Sequence, residues 1–235
     1  MKNVTEYQGQ LKNFEISGGR KGIETAERMV WEGLYRRVGK RVFDLFLAAA
    51  LLPLIAPLIA ILWLITRCGG GTGFFGHARV GRGGCSFKCW KIRTMVPDAE
   101  EKLQSYLGGN PDAAREWEAS RKLAHDPRIT RFGDFLRKSS LDELPQIWNV
   151  LCGDMSFVGP RPVTGEELGK YGGRSGSYLA QKPGITGIWQ VSGRNSVSYE
   201  DRVSMDHRYL RNMSFPLDLM ILFKTWLVVI RRTGC

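Results

Sequence analysis

Histidine is scarce in this chain, three in 235 residues, and His77, His125 and His207 show no metal-ligand spacing. The five cysteines (Cys68, Cys85, Cys89, Cys152 and Cys235) are odd in number and irregularly placed, which argues against a disulfide framework. Cys85 and Cys89 resemble half of a zinc site, but no second Cys/His pair follows them, so reduced thiols facing a cytosol are the simpler reading. Neither glycine cluster, 69–73 or 81–84, leads into Lys-Ser or Lys-Thr, which removes a phosphate-binding P-loop. There is no internal repeat and no low-complexity tract. Acidic residues are outnumbered, 23 against 34 basic ones, leaving a formal charge of +11 that favours an anionic partner. No recognised RNA- or DNA-binding motif accompanies that charge, so membrane surface or phosphorylated substrate is preferred over nucleic acid. The length suits one domain with appendages.

One long stretch lacks charge altogether. Residues 45–66 are apolar throughout, long enough to span a bilayer as a helix. They begin too far from the N-terminus for a typical signal peptide, and no small-residue cleavage site follows. Pro53 and Pro57 interrupt the run, and each removes a backbone donor and crowds the preceding turn. A break at Pro57 would leave a first arm of about 12 residues, roughly 18 Å, short of a ~30 Å hydrocarbon core. Basic residues flank the run on both sides: Arg36, Arg37, Lys40 and Arg41 before it, Arg67, Arg79 and Arg82 after it. Because basic flanks mark the cytoplasmic side, both ends claim the same face. A hairpin that enters and leaves by that face, broken at Pro53 and Pro57, satisfies both flanks. A straight span and a buried core helix are the alternatives.

Around this segment, residues 1–35 read as a loose polar arm, and 68–235 as a cytosolic, membrane-associated domain. Phe74, Phe75, Val80, Phe87, Trp90 and Ile92, punctuated by glycines, predict a β-hairpin. Residues 98–123 predict an amphipathic helix interrupted at Gly108–Pro111. Helices are also predicted over 140–152, with Ser140 and Glu143 as a capping box, and over 199–211. The segment Phe215–Ile230 is apolar with Asp218 and Lys224, and reads equally as an interfacial helix or a core helix. The expected fold is therefore α+β and mostly helical: a re-entrant membrane hairpin, a compact catalytic domain with a small β element, and interfacial amphipathic helices.

The chemistry concentrates in 137–162. Asp142 and Glu143 stand side by side at a predicted helix start, where side chains one residue apart diverge by about 100°. They can divide labour: one carboxylate attacks phosphorus to give an acyl phosphate, while the other holds Mg2+. Arg137, Arg161 and Arg194 can present forked donors to phosphate oxygens. The bland alternatives are a helix cap for Ser140–Glu143 and a stiff surface turn for Gly159-Pro160-Arg161-Pro162. The glycines of Lys182–Gly187 either build a turn cluster or admit a nucleotide to the backbone.

Together these segments resemble the bacterial sugar transferases, the monotopic polyprenyl-phosphate phosphoglycosyl transferases, from about Arg36 to the C-terminus. The matching pieces are Lys40-Arg41-x-x-Asp44, Phe87-Lys88-x-x-Lys91-x-Arg93-Thr94-Met95, Asp126-Pro127-Arg128-Ile129-Thr130, Ser140–Gln146, Gly153–Pro162 and Lys182–Asn195. The resemblance implies transfer of a hexose 1-phosphate from a UDP-sugar to undecaprenyl phosphate at the cytoplasmic face of a bacterial inner membrane. It implies that Asp142 attacks the β-phosphorus, UMP leaves, and the lipid phosphate then takes the phosphosugar. It further implies Glu143 as the Mg2+ ligand, and Lys91, Arg137, Arg161 and Arg194 as phosphate ligands. The chain looks like the short form that initiates exopolysaccharide with galactose or glucose. The family's hairpin break is usually Ser-Pro, and here it is Ala56-Pro57, which loosens the expectation for the hairpin angle. A catalytically silent partner in polysaccharide assembly is the alternative function, and self-association is left open.

Overall fold

In the computed structural model, which describes residues 33–120, 122–193 and 197–230, the uncharged run is one continuous helix, α1, Lys40–Cys68. It is preceded by a π-helical turn over Tyr35–Gly39. Pro53 and Pro57 lie inside this helix rather than between two separate arms. Both prolines are on its exposed side. Nearly all of the predicted N-terminal arm, residues 1–32, lies outside the described residues.

α1 packs one side on the protein and leaves the other exposed. Ala48, Leu52, Ile55, Ile59 and Leu62 recur at spacings of three and four and pack on the rest of the protein. The opposite side exposes Phe46, Leu54, Leu58, Ile61, Leu64 and Ile65. Both ends are tied to the same folded unit. At the first end, Asp44 accepts hydrogen bonds from the Ser156 hydroxyl (2.9 Å) and the Phe157 N–H (3.0 Å). Arg36 donates to the carbonyl of Met213, and Arg41 donates to those of Val150 and Leu151. At the other end, Arg93 donates to the carbonyls of Thr66 and Gly70.

The predicted hairpin is present as β1, Phe74–Val80, and β2, Ser86–Ile92, antiparallel with Phe75 opposite Lys91 and His77 opposite Cys89. The interrupted amphipathic helix appears as α2, Ala99–Gly109, and α3, Pro111–Ser120. α4, Arg131–Ser139, is capped by Thr130, whose hydroxyl oxygen accepts the Gly133 N–H at 2.8 Å. The predicted capping box at Ser140 and Glu143 does not form. Ser140 takes a left-handed conformation (φ 57°) and closes α4, its N–H bonding back to the Arg137 and Leu136 carbonyls. Its side chain is thus unavailable as a cap, and Leu141–Glu143 become a 3-10 turn. The helix expected from 140 instead starts six residues later as α5, Gln146–Cys152, entered through Pro145.

Beyond α5, β3 (Ser156–Val158) and β4 (Gly184–Thr186) form a short parallel pair that the sequence reading missed. Between them lie α6, Gly165–Gly169, and α7, Ser175–Leu179. α8, Tyr199–Asn212, and α9, Phe215–Ile230, complete the fold. α9 buries one face and leaves the other exposed. Asp218 and Ile221 are buried against the core, while Leu219, Met220, Phe223 and Trp226 stay exposed. Asp218 is fully enclosed but satisfied: Lys40, Tyr35 and Tyr209 each reach its carboxylate at 2.6 Å. Tying a buried carboxylate to three donors removes the cost of isolating it.

A second buried acid is less well compensated. Asp206 on α8 receives the Tyr171 hydroxyl at 2.8 Å, and burial pushes its carboxyl up to about 7. The folded state therefore holds this proton more tightly than the unfolded chain, whose carboxyl titrates near 4. The stability this contributes is complete below pH 4 and is lost as the pH climbs through 7. Asp206→Asn is accordingly expected to raise the unfolding midpoint relative to the parent at pH 8, and to change it little at pH 5. Thermal unfolding in detergent at both pH values measures this, and an equal shift at the two would contradict it.

Candidate active site

The site is assembled where the 3-10 turn after α4 meets the end of β2. Lys91 projects from β2 and its ammonium lies 2.6 Å from Glu143 Oε1 and 3.5 Å from Asp142 Oδ2. The two neighbouring carboxylates, expected to diverge, thus converge on a single cation. What fixes this geometry is Asn149 on α5. Its side-chain oxygen accepts the Trp90 N–H (3.0 Å), and its amide nitrogen donates to the Lys88 carbonyl (2.8 Å). That clamp locks α5, and the turn leading into it, against the strand carrying Lys91. Leu141 and Leu144, which bracket the carboxylates, pack on the cluster of Leu62, Ile92 and Leu136.

Asp142 is only 7 % exposed. Burial lifts its carboxyl above the usual range, Lys91 and Arg137 pull it back, and Glu143 opposes them. The result is a carboxylate more basic than an exposed one, yet steadied by two cations when ionised. Arg137, in the last turn of α4, donates from Nε to Thr94 Oγ1 at 2.9 Å. Arg161 lies across the site: with Arg79, Lys91, Glu143, Gln146 and Gln190 it lines a shallow, open cleft. Asp142 is not among the lining residues and reaches the cleft only through its contact with Lys91. Arg194 lies outside the described residues. Pro53 and Pro57 are on α1 and take no part in the cleft.

Arg79 and Gln146 are cleft residues that the sequence reading overlooked. For Arg79 the signal was the alternation of the hairpin: the register puts Phe75, His77 and Arg79 on the sheet face that carries Lys91. Arg79 is held at the rim by Glu167, whose Oε2 accepts from it at 3.0 Å and also accepts the Thr164 N–H at 2.8 Å. That carboxylate completes the capping box of α6, so the N-terminal cap of a short helix also aims an arginine at the cleft.

Mg2+ takes oxygen ligands, and the carboxylates gathered here supply only oxygens. Oxygens of both carboxylates come within reach of one cation, and among the described residues no group of three His, Cys, Asp or Glu is gathered. A metal here would complete its shell with phosphate oxygens and water, the usual habit of Mg2+.

A family model described as bacterial sugar transferase matches residues 35–232. The chain is 52 % identical over 195 residues to the UDP-galactose-lipid carrier transferase of Erwinia amylovora, and 50 % identical over 195 residues to the undecaprenyl-phosphate galactose phosphotransferase of Salmonella typhimurium. Each alignment covers 83 % of this chain and 41 % of the relative, so the chain spans about two fifths of the length of these two proteins. It is 49 % identical over 197 residues to the exopolysaccharide production protein ExoY of Rhizobium meliloti, covering 82 % of this chain and 87 % of that protein.

Proposed function

Because the chain belongs to the bacterial sugar transferase family, we propose that it moves a hexose 1-phosphate from a UDP-sugar to undecaprenyl phosphate, releasing UMP. The observation that carries this reading is the convergence of Asp142 and Glu143 on Lys91 beside a cleft rimmed by Arg79 and Arg161. In the first half-reaction an Asp142 oxygen attacks the β-phosphorus. The bond from that phosphorus to the bridging oxygen breaks, and UMP leaves with the electron pair. In the second half-reaction an oxygen of the lipid phosphate attacks the same phosphorus. The acyl-phosphate bond breaks, Asp142 returns as carboxylate, and the lipid carries a sugar diphosphate. Splitting one difficult transfer into two in-line steps is the general use of a carboxylate nucleophile.

The neighbouring residues have separable tasks. Lys91 steadies the ionised aspartate and presents an ammonium to the incoming phosphate. Arg161 and Arg79 grip the diphosphate from the opposite rim, while Arg137 adds positive potential behind the nucleophile. Glu143 would hold Mg2+, which when bound neutralises phosphate charge that otherwise repels the attacking anion. Arg194 is assigned to phosphate binding on its motif alone. Two relatives named for galactose make UDP-galactose the first donor to test, with UDP-glucose second.

The proposed setting is the cytoplasmic face of the inner membrane. α1 is long and apolar enough to cross a bilayer, but a straight crossing would carry Arg67 away from the domain whose Arg93 holds that end. Both ends therefore belong on one side, with the exposed faces of α1 and α9 turned to lipid. Such an arrangement brings a lipid-borne acceptor to the carboxylates without the domain leaving the interface.

The test is an intact mass measurement of enzyme quenched during turnover with Mg2+ and UDP-galactose in the absence of acceptor. The expected species carries one added hexose phosphate, with one UMP released per protein. A second addition of undecaprenyl phosphate should remove the adduct. Unmodified protein throughout, with UMP appearing only when the acceptor is present, would overturn the covalent route.

A further inference from the structure

At the far end of α5 from the carboxylates, two cations meet, and no carboxylate among the described residues bonds to either. Gly153 ends α5 in the left-handed conformation (φ 92°) and leaves its outer face bare. A side chain there would come within 3.3 Å of the Lys182 ammonium and 3.4 Å of an Arg41 guanidinium nitrogen. Lys182 and Arg41 therefore share the space over one glycine. Arg41 is anchored by donating to the carbonyls of Val150 and Leu151. Lys182 makes no hydrogen bond or ion pair with any described residue.

The nearby acids are turned elsewhere: Asp44 accepts from Ser156 and Phe157, and Asp154 accepts from Asn149. The carbonyls that end α5 are already taken, since the Asn149 oxygen accepts from Gly153, Asp154 and Met155. Burial, reinforced by Arg41 and Arg82 and only partly opposed by the Asp44 and Asp154 carboxylates, lowers the Lys182 ammonium from its ordinary range. An unpartnered, half-buried ammonium held against a fixed guanidinium is stabilised by an anion placed between them.

We propose that Arg41 and Lys182, over the bare face of Gly153, bind a phosphate group at a site separate from the catalytic cleft. A seven-residue helix, about 10 Å long, separates this site from the turn that bears Glu143. Its position favours the phosphate of a lipid headgroup. Arg41 lies in the first turn of α1, and the exposed apolar side of that helix begins next to it with Val42, Leu45 and Phe46. This is the depth at which headgroup phosphates sit beside a helix anchored in one leaflet. A soluble phosphate offers the same oxygens, so both sources are tested.

Full-length protein, its Lys182→Met variant and a control Lys102→Met variant on exposed α2 are compared by flotation with vesicles of phosphatidylcholine alone or with phosphatidylglycerol added. The preference of the parent for the anionic vesicles should fall about fivefold in Lys182→Met, the size of one lysine's contribution near an acidic surface, and should hold in the control. Lys182→Arg, which keeps a charged fork, should restore it and guards against a simple folding defect. In parallel, the unfolding midpoint in detergent is followed against inorganic phosphate with chloride at matched ionic strength. A phosphate-dependent rise lost only in Lys182→Met identifies a soluble phosphate as ligand and upholds the site. Lys182→Met behaving like the parent in both assays, or Lys102→Met losing as much as Lys182→Met, would overturn it. None of these readouts involves sugar transfer.

Discussion

Asp142→Asn is expected to abolish UMP release, lowering turnover by at least about a thousandfold, while the protein stays folded and membrane-bound. The carboxamide has nearly the shape of the carboxylate, so the 7 % exposed position can accept it without repacking. Lys91 keeps its 2.6 Å contact with Glu143, which preserves the local pairing of strand and turn. What disappears is the anionic oxygen that bonds to phosphorus. Glu143, the neighbouring carboxylate, is assigned to the metal and does not replace it. UMP release and intact mass should therefore be lost together. Retention of full activity would remove Asp142 from the mechanism and favour a different nucleophile. Loss of activity in a protein that no longer unfolds cooperatively would instead mark Asp142 as structural.

The second large effect comes from a residue that touches no substrate. A Cβ on Gly133 would collide with the backbone carbonyl of Thr94. That oxygen already accepts the Thr130 N–H at 3.1 Å, so the segment after β2 cannot retreat without breaking the cap of α4. Gly133→Ala is expected to cost about 1–3 kcal/mol of unfolding free energy, the range of overpacking. It should also reduce turnover in the folded fraction, because α4 carries Arg137 and Thr94 receives that arginine's Nε. Gly108→Ala on α2 is the control. Nothing lies within 4 Å of its added carbon, and relief of glycine's entropy should leave stability equal or slightly higher. Chemical denaturation of the three proteins in one detergent measures both, and equal midpoints for Gly133→Ala and the parent would contradict the steric argument.

Elements with local causes were legible in the sequence. The hairpin of β1 and β2 was visible because glycine clusters bound a β-prone stretch, and the break between α2 and α3 because Gly108–Pro111 cannot continue a helix. Ser140 was misread for a reason of the same kind. Ser-x-x-Glu satisfies a capping rule, but the backbone of Ser140 is already used to close the preceding helix, and local spacing does not reveal that competition. The meeting of Asp142, Glu143 and Lys91 could not be read at all from periodicity. It depends on Asn149 bridging to Lys88, 61 residues away, a contact that no local pattern encodes. Arg79 stood between these cases, since its placement followed once the hairpin register was known.

The stripe of Ala48, Leu52, Ile55, Ile59 and Leu62 on α1 bears on how this protein can be handled. The first four roof Val150, Met155, Phe157 and Ile221, and Leu62 packs with Ile92 and Leu136, so this apolar helix is also part of the domain's own interior. A fragment beginning after Cys68 would expose that interior to water and lose the guanidinium and carboxylate ties of Arg41 and Asp44. Trimming away the greasy segment to harvest a water-soluble enzyme should thus yield aggregate, and detergent or nanodisc preparations are the practical route.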